Sequence, residues 1–346
     1  MKKLLNKLRR NKQNETPSRI TNDTIAEHRE KILAGGRRFK YPIQYAKHKL
    51  VINAIIVAVS ALILTALVIW WQLYIALSSN DLVYRITRVV PLPVASVDGA
   101  PVPYSNYLLK YRSSIHFLVK KERVNLKSDD GQRQADHIKQ VSIQSAIEDA
   151  YAAKTAREMG IVVEESELEA FILQKLESGK VSEATNNATI LDWYGWEPDE
   201  YRYVVRNLLL RQKVSYAVDE KATKTVEALE SELKTTTDLK AIAKKLNDNP
   251  ETMITYDVSG PLPSDNDDWG ITATAASLKV GAVSAIFTPS NGDGYYVVKL
   301  ISSSGEQVNY EYIHVGLTVF EKQLDALKDS DNVSIYISIP SKEDAS

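Results

Sequence analysis

The chain has 346 residues, with 43 Lys+Arg against 44 Asp+Glu, five histidines and no cysteine. The missing cysteine excludes disulfides, thiolate-ligated zinc and thiol nucleophiles, and it fits an exported protein that avoids oxidative mispairing. The near-zero net charge conceals two opposed parts: 14 Lys+Arg and 4 Asp+Glu precede Leu50, which leaves 29 and 40 after it.

The basic tail, residues 1–49, begins with a polar stretch and then predicts a helix from about Ile20 to Leu33. Thr21, Asn22 or Asp23 would cap it, and Gly35 and Gly36 would end it. The run Leu50–Ala76 is 27 residues without Asp, Glu, Lys or Arg. At about 1.5 Å rise per residue, roughly 20 apolar residues span a hydrocarbon core about 30 Å thick, so residues 50–76 predict one transmembrane helix. A buried helix of a soluble core is usually shorter and keeps a polar stripe. This run is apolar all round, broken only by Asn53, Ser60, Thr65 and Gln72. It also lies too far along the chain for a cleaved signal peptide. Short basic flanks stay on the cytoplasmic side, which predicts a cytoplasmic N-terminus and an extracytoplasmic body of roughly 270 residues. Trp70, Trp71 and Tyr74 suit an outer aromatic belt, and Tyr41 and Tyr45 an inner one. The Lys and Arg of the tail suit anionic lipid, so the bilayer is the expected partner and nucleic acid is not.

Residues 77–93 read as a connector. Pro91, Pro93, Pro101 and Pro103 then frame an extended piece in which Asp98-Gly99 predicts a tight hairpin. From Ser105 the pattern turns helical, with Tyr107, Leu108, Tyr111, Ile115 and Leu118 at helical spacing. A polar break at 127–131 precedes a longer helix from about Gln132 to Met159, which Gly160 stops. Glu164 to Leu176 is a further amphipathic helix, 178–187 a polar loop, and Ile190 to Tyr194 a short helical piece. Pro198 opens a helix to about Val218, with Lys234 as its farthest extent. Beyond it come a helix at Asp238–Asp248, a strand within ITYDVSGPLP, and a short helix. A strand at Val283–Thr288, a Gly-Asp-Gly turn and a strand at Tyr295–Ile301 follow. The chain closes with a strand at 310–317, a helix at Thr318–Asp329 and a strand at Val333–Ile339.

The histidines His28, His48, His116, His137 and His314 are dispersed, with no HExxH, and the chain has no Walker-type loop, GxGxxG or GxSxG. No metal, small-molecule cofactor or common hydrolase chemistry is therefore expected.

VASVDGAPVPYSNYLLKYR at 94–112 and AAKTAREMGIVVEESELEAFI at 152–172 resemble the N-terminal chaperone region of SurA and PrsA type foldases, over about Val94 to Val218. Farther on, Ala275 to Ser284 matches the A-x-x-L-K-x-G-x-(V/I)-S pattern of parvulin-type (PpiC) prolyl isomerase domains. Gly294 to Leu300 matches their G-Y-H-I-I-K-(V/L) strand, with Tyr296 where the family has histidine. The opening strand of that family is missing between Val218 and Asp238, and YEYIHVGL at 310–317 is read as its permuted replacement.

The resemblance implies an α+β protein with a single N-terminal transmembrane helix. A helical SurA-like chaperone domain would occupy 94–234, a small parvulin-like domain with a short antiparallel sheet 235–340, and a tail 341–346. It further implies a membrane-anchored chaperone or foldase for unfolded or newly exported polypeptides. An active prolyl isomerase and a structural or adhesion protein of the envelope stand as the alternatives. In an isomerase reading His314 and Tyr296 would be the catalytic pair, with Trp269 and Phe287 lining the proline pocket; a lone histidine in a strand is more often a structural residue. Trp193, Tyr194, Trp196 and Tyr201, with Tyr203 beside them, are the candidates for client contact or, alternatively, for packing the bundle.

Overall fold

The computed structural model describes residues 21–40, 42–248 and 254–339. Helix α1 (Asn22–Lys40) opens where Thr24 Oγ1 donates to the Thr21 carbonyl at 2.8 Å and accepts from its N–H at 3.0 Å. It runs through Gly35 and Gly36, which the sequence reading took as its end. Neither adopts a positive φ, and a glycine in right-handed geometry weakens a helix by about 1 kcal/mol without stopping it. Helix α2 (Pro42–Tyr74) contains the span His48–Tyr74, 27 residues. It is, among the described residues, the one helix long and apolar enough to cross a membrane. Thr65 Oγ1 donates to the Ala61 carbonyl at 2.9 Å, so its hydroxyl is satisfied within the helix. Tyr41 lies outside the described residues.

From Gln72 onward the chain forms a second unit. Leu73 and Tyr74 belong to it: Tyr104 Oη donates to the Leu73 carbonyl at 2.6 Å and Tyr74 Oη to the Pro93 carbonyl at 2.7 Å. The expected connector contains a helix, α3 (Asp81–Val89). Asn80 caps it by accepting from the Val83 N–H at 2.9 Å, and it buries Val83, Tyr84 and Thr87 at three- and four-residue spacing. Arg85 and Arg88, set among those residues, hide the short period.

Strands β1 (Pro93–Val97) and β2 (Ala100–Pro103) form the predicted hairpin, with Asp98 at φ 46° and Gly99 at φ 75°. Helix α4 (Tyr104–Lys120) packs on α5 (Asp129–Met159), which Ser128 caps and Gly160, at φ 68°, terminates. Capping boxes open α6 (Glu165–Ser178) and α8 (Pro198–Val218). Between them, the expected loop at 178–187 is largely helix α7 (Glu183–Tyr194), started by Ser182. Only Ile190 of this helix is buried, so it carries no apolar stripe to read.

Helices α9 (Glu220–Leu233) and α10 (Leu239–Asn247) cover one face of a four-stranded antiparallel sheet. Its strands are β3 (Ile254–Val258), β4 (Leu262–Pro263), β5 (Gly294–Ser303) and β6 (Gln307–Gly316). Val297, Ile313 and Val315 pack toward α9 and α10, and Val298, Val308 and Tyr310 toward the short helix α11 (Ile271–Ala276). β6, the late strand, is central: β5 pairs along one edge, and β3 and β4 along the other. The expected strand at 283–288 is reduced to two bridges, Val283 to Lys299 and Phe287 to Tyr296. Between them Ser284 Oγ, at 3.0 Å, takes the Val298 N–H that a regular ladder would use.

The last two elements return to the helices. Helix α12 (Val319–Asp329) packs on α8, and Phe320 meets Tyr151 of α5 at 5.3 Å between ring centroids. Strand β7 (Val333–Ile335) pairs with β1, Ala95 opposite Ile335, which makes the hairpin a three-stranded sheet. The expected domain at 235–340 therefore loses its last two elements to the helical part. The strand itself is legible in the sequence, but its partner lies more than 230 residues away in the chain.

Candidate functional site

A groove of about 880 Å³ opens between α4, α5 and the α7–α8 junction. Its apolar lining is Phe117, Leu118, Ile138, Val141, Tyr194 and Trp196. The junction turns at Gly195, in left-handed geometry at φ 69°. A Cβ there would also come within 3.1 Å of His116 Nδ1, so the close approach to α4 requires glycine. The turn stacks Tyr194 on Trp196 at 4.8 Å between centroids. Trp193 lies against Phe117 at 5.9 Å, with the Lys121 ammonium 5.2 Å from its ring centre. Trp193 and Tyr194 are 44% and 43% exposed, so neither ring is used up by the bundle. Tyr201 differs: it packs against the Leu168, Ile172 and Val205 cluster between α6 and α8. The two cations at the groove are matched within the chain, Lys110 to Asp149 at 2.8 Å and Arg133 to Asp130 at 3.2 Å, and Glu122 adds a carboxylate to the lining.

The sheet carries a second arrangement. Tyr296 and His314 are cross-strand partners of β5 and β6, stacked at 4.4 Å with an 18° interplanar angle. Phe287 at 6.3 Å and Tyr312 at 5.9 Å flank Tyr296. The polar atoms are already engaged: Tyr296 Oη donates to Asp293 Oδ2 at 3.1 Å, and His314 Nε2 lies 3.2 Å from the Asp293 carbonyl oxygen. Burial, with Asp293 beside it, pushes the Tyr296 phenol well above its ordinary value, so it stays a neutral donor. Burial likewise holds Tyr310 up to about 12; its Oη reaches Asp268 Oδ2 at 3.0 Å.

Trp269 does not join this group. Among the described residues its ring contact is the Lys175 ammonium of α6, 4.4 Å from its centre, and its carbonyl accepts from the Ser290 N–H at 3.1 Å. The predicted pocket residues are thus split: Phe287 sits on the Tyr296–His314 pair, and Trp269 ties the sheet to the helices. Sequence reading missed Asp293 and Asp268, which hold the phenols, and the α4 and α5 side chains of the groove. Asp293 sits in a Gly-Asp-Gly turn that reads only as a turn. Among the described residues no group of His, Cys, Asp or Glu is placed to hold a metal ion.

The class this fold defines is an α+β protein, mostly helical, with small antiparallel sheets. Residues 44–215 match the SurA-like N-terminal domain, and over that span the chain belongs to this family, which supports a chaperone or foldase role. A similar solved structure is described as the virulence factor PEB4 and the periplasmic protein Cj1289, two structurally related SurA-like chaperones of Campylobacter jejuni. The match has 14% identity and covers 69% of this chain and 90% of that chain, with a TM-score of 0.24. No curated protein matches the chain.

Proposed function

We propose that this protein is a membrane-tethered extracytoplasmic holdase that binds unfolded or newly exported polypeptides at the groove between α4, α5 and the α7–α8 junction. The observation that carries the reading is the exposed aromatic wall at that groove, Trp193 beside it and Tyr194 stacked on Trp196, within the SurA-like span. Aromatic side chains of this kind offer large contact areas at low entropic cost, and their half-exposure leaves that area open to a client. The apolar helix α2 and the basic segment before it support tethering with the body outside.

A second reading, prolyl isomerisation on the sheet, is favoured by one observation: the stacked Tyr296–His314 pair beside Phe287. Isomerisation must lower a barrier of roughly 18–20 kcal/mol by holding the ring and stabilising the twisted amide. Here the phenol and imidazole already bond to Asp293, which supports a structural role and places binding ahead of catalysis.

The test is refolding of an aggregation-prone client with the full chain in nanodiscs, scored separately for aggregation and for a proline-limited phase. Trp193→Ala with Trp196→Ala is expected to cut aggregation suppression severalfold while the helical circular dichroism stays unchanged. Suppression equal to wild type in that variant sinks the groove assignment. An accelerated proline phase that His314→Ala removes would establish the isomerase reading instead.

A further inference from the structure

Helix α3 has two apolar sides, and packing of the body accounts for one of them. Val83, Tyr84 and Thr87 face inward, with Tyr84 under the Arg112 guanidinium and donating to Glu200 Oε1 at 2.6 Å. Leu82 and Val89, seven residues apart and hence on one side of the helix, are 69% and 82% exposed, and Val90 after them is exposed as well. Arg85 stands between the two at three- and four-residue spacing, exposed and without an ion pair among the described residues.

Both ends of α3 are held close to the last turn of the apolar span. The Ser78 N–H donates to the Gln72 carbonyl at 2.8 Å, and α3 begins three residues after Ser78. Tyr74 Oη donates to the Pro93 carbonyl at 2.7 Å, and Val90 lies three residues before Pro93. Three residues of chain reach at most about 11 Å, so the helix, itself about 13 Å long, starts and ends within that reach of a residue bonded to the last turn. Next to Pro93, the Val94 carbonyl accepts from the Tyr336 N–H at 2.9 Å, which brings a further exposed aromatic residue to the same place.

We infer that α3 is an interfacial helix whose outer stripe, Leu82 and Val89, enters the lipid leaflet on the body's side, with Arg85 on a lipid phosphate. This inference rests on the tether reading. Position selects the lipid surface as the occupant. If the span ends at Tyr74, residues held this close to it lie at the polar zone of the bilayer, about 5–7 Å deep on each side. There exposed apolar side chains leave water, and a guanidinium meets phosphate in its preferred two-pronged geometry. Attachment at α3 as well as at the span gives the body one fixed tilt. The groove residues Phe117 and Leu118, about 20 Å along α4 from Tyr104, then keep one constant distance from the bilayer.

Because the chain has no cysteine, one introduced thiol carries a nitrobenzoxadiazole probe to one place. The full chain is put into nanodiscs of equal parts phosphatidylcholine and phosphatidylglycerol, with acyl chains either plain or brominated near the headgroup. Val89→Cys on the outer stripe is compared with Trp71→Cys in the span and Thr235→Cys after α9. An interfacial helix lies about 5–10 Å into the headgroup–acyl boundary, so the Val89→Cys probe is expected to lose about half its emission in brominated discs. Trp71→Cys is expected to lose emission as well, and Thr235→Cys to keep it. Adding Leu82→Glu to Val89→Cys is expected to restore most of the lost emission. Quenching undiminished by Leu82→Glu overturns insertion of the stripe, since the span alone then carries the probe to lipid. Quenching at Trp71→Cys without quenching at Val89→Cys overturns the inference and leaves the tether standing; a blue-shifted but unquenched Val89→Cys probe would put a second copy or another protein there instead. Quenching at neither position overturns the tether reading and the inference with it.

Discussion

Asp219 shows how much one side chain can organise. It is 2% exposed and sits between α8 and α9, where its Oδ1 accepts from the Ala222 N–H at 2.9 Å and caps α9. Its Oδ2 accepts from the N–H groups of Thr318 and Val319 at 2.7 and 3.1 Å, so the same carboxylate also caps α12. Two helix starts far apart in sequence are thus satisfied by one buried group, each cap being worth about 0.5–2 kcal/mol. Asp219→Ala is expected to cost about 2–4 kcal/mol, because one buried and two part-buried donors are orphaned. Asp219→Asn, with one carbonyl oxygen in place of two carboxylate oxygens, should fall between. Denaturant midpoints check this; a midpoint for the alanine variant within error of wild type would show that the double cap carries no weight. In the sequence Asp219 is legible only as a place where the helix opened by Pro198 could stop; that a second helix starts there was not. Its second role depends on Thr318 coming alongside, which local pattern cannot reveal. Tyr296 and His314, in contrast, were named together only through the parvulin resemblance; that they face each other is set by the β5–β6 register, which local pattern does not reveal. Trp269 was misplaced because its partner, Lys175, is almost a hundred residues upstream.

Among the elements, the contact of α6 with α8 is fastened by charges at its edge. Glu165 accepts from Arg202 and Arg206, and Glu167 accepts from Lys213 at 2.8 Å through both oxygens. The hydrogen bonds from Arg206 and then Arg202 hold the Glu165 carboxyl below the usual glutamate value, and that from Lys213 does so for Glu167. A carboxyl lowered on folding contributes stability above its unfolded value, about 4.3, and loses that contribution as pH falls through the folded value. These side chains are exposed, so the effect is modest and screened by salt. Glu165→Gln/Glu167→Gln should therefore melt below wild type at pH 7, and the gap should shrink as pH is lowered below about 4. Melting curves with a gap independent of pH would locate the loss elsewhere. The helices of this contact were readable because each carries a periodic apolar face and a cap; α6 and α8 open with Glu at both ends of a capping box. Helices α3 and α7 were not, since one is nine residues long and the other buries a single side chain.

At the scale of the molecule, the chain doubles back: after completing the sheet at β6 it runs through α12 to add β7 to the hairpin that began the body. Such a closure ties the end of the body to its beginning, so the groove and the sheet are held in one unit from Gln72 onward. A holdase acting on exported chains needs that unit on the outer side, and the basic excess before Leu50 argues for it. The absence of cysteine makes the topology directly testable. Glu30→Cys in α1 and Thr235→Cys after α9, both at exposed positions, each introduce one thiol. With a membrane-impermeant maleimide on intact cells, Thr235→Cys is expected to label fully, and Glu30→Cys only after lysis. Labelling of Glu30→Cys in intact cells, with protection of Thr235→Cys, would put the groove in the cytoplasm. The client class would then have to change from exported to cytoplasmic chains, while the apolar wall of the groove would remain what it is.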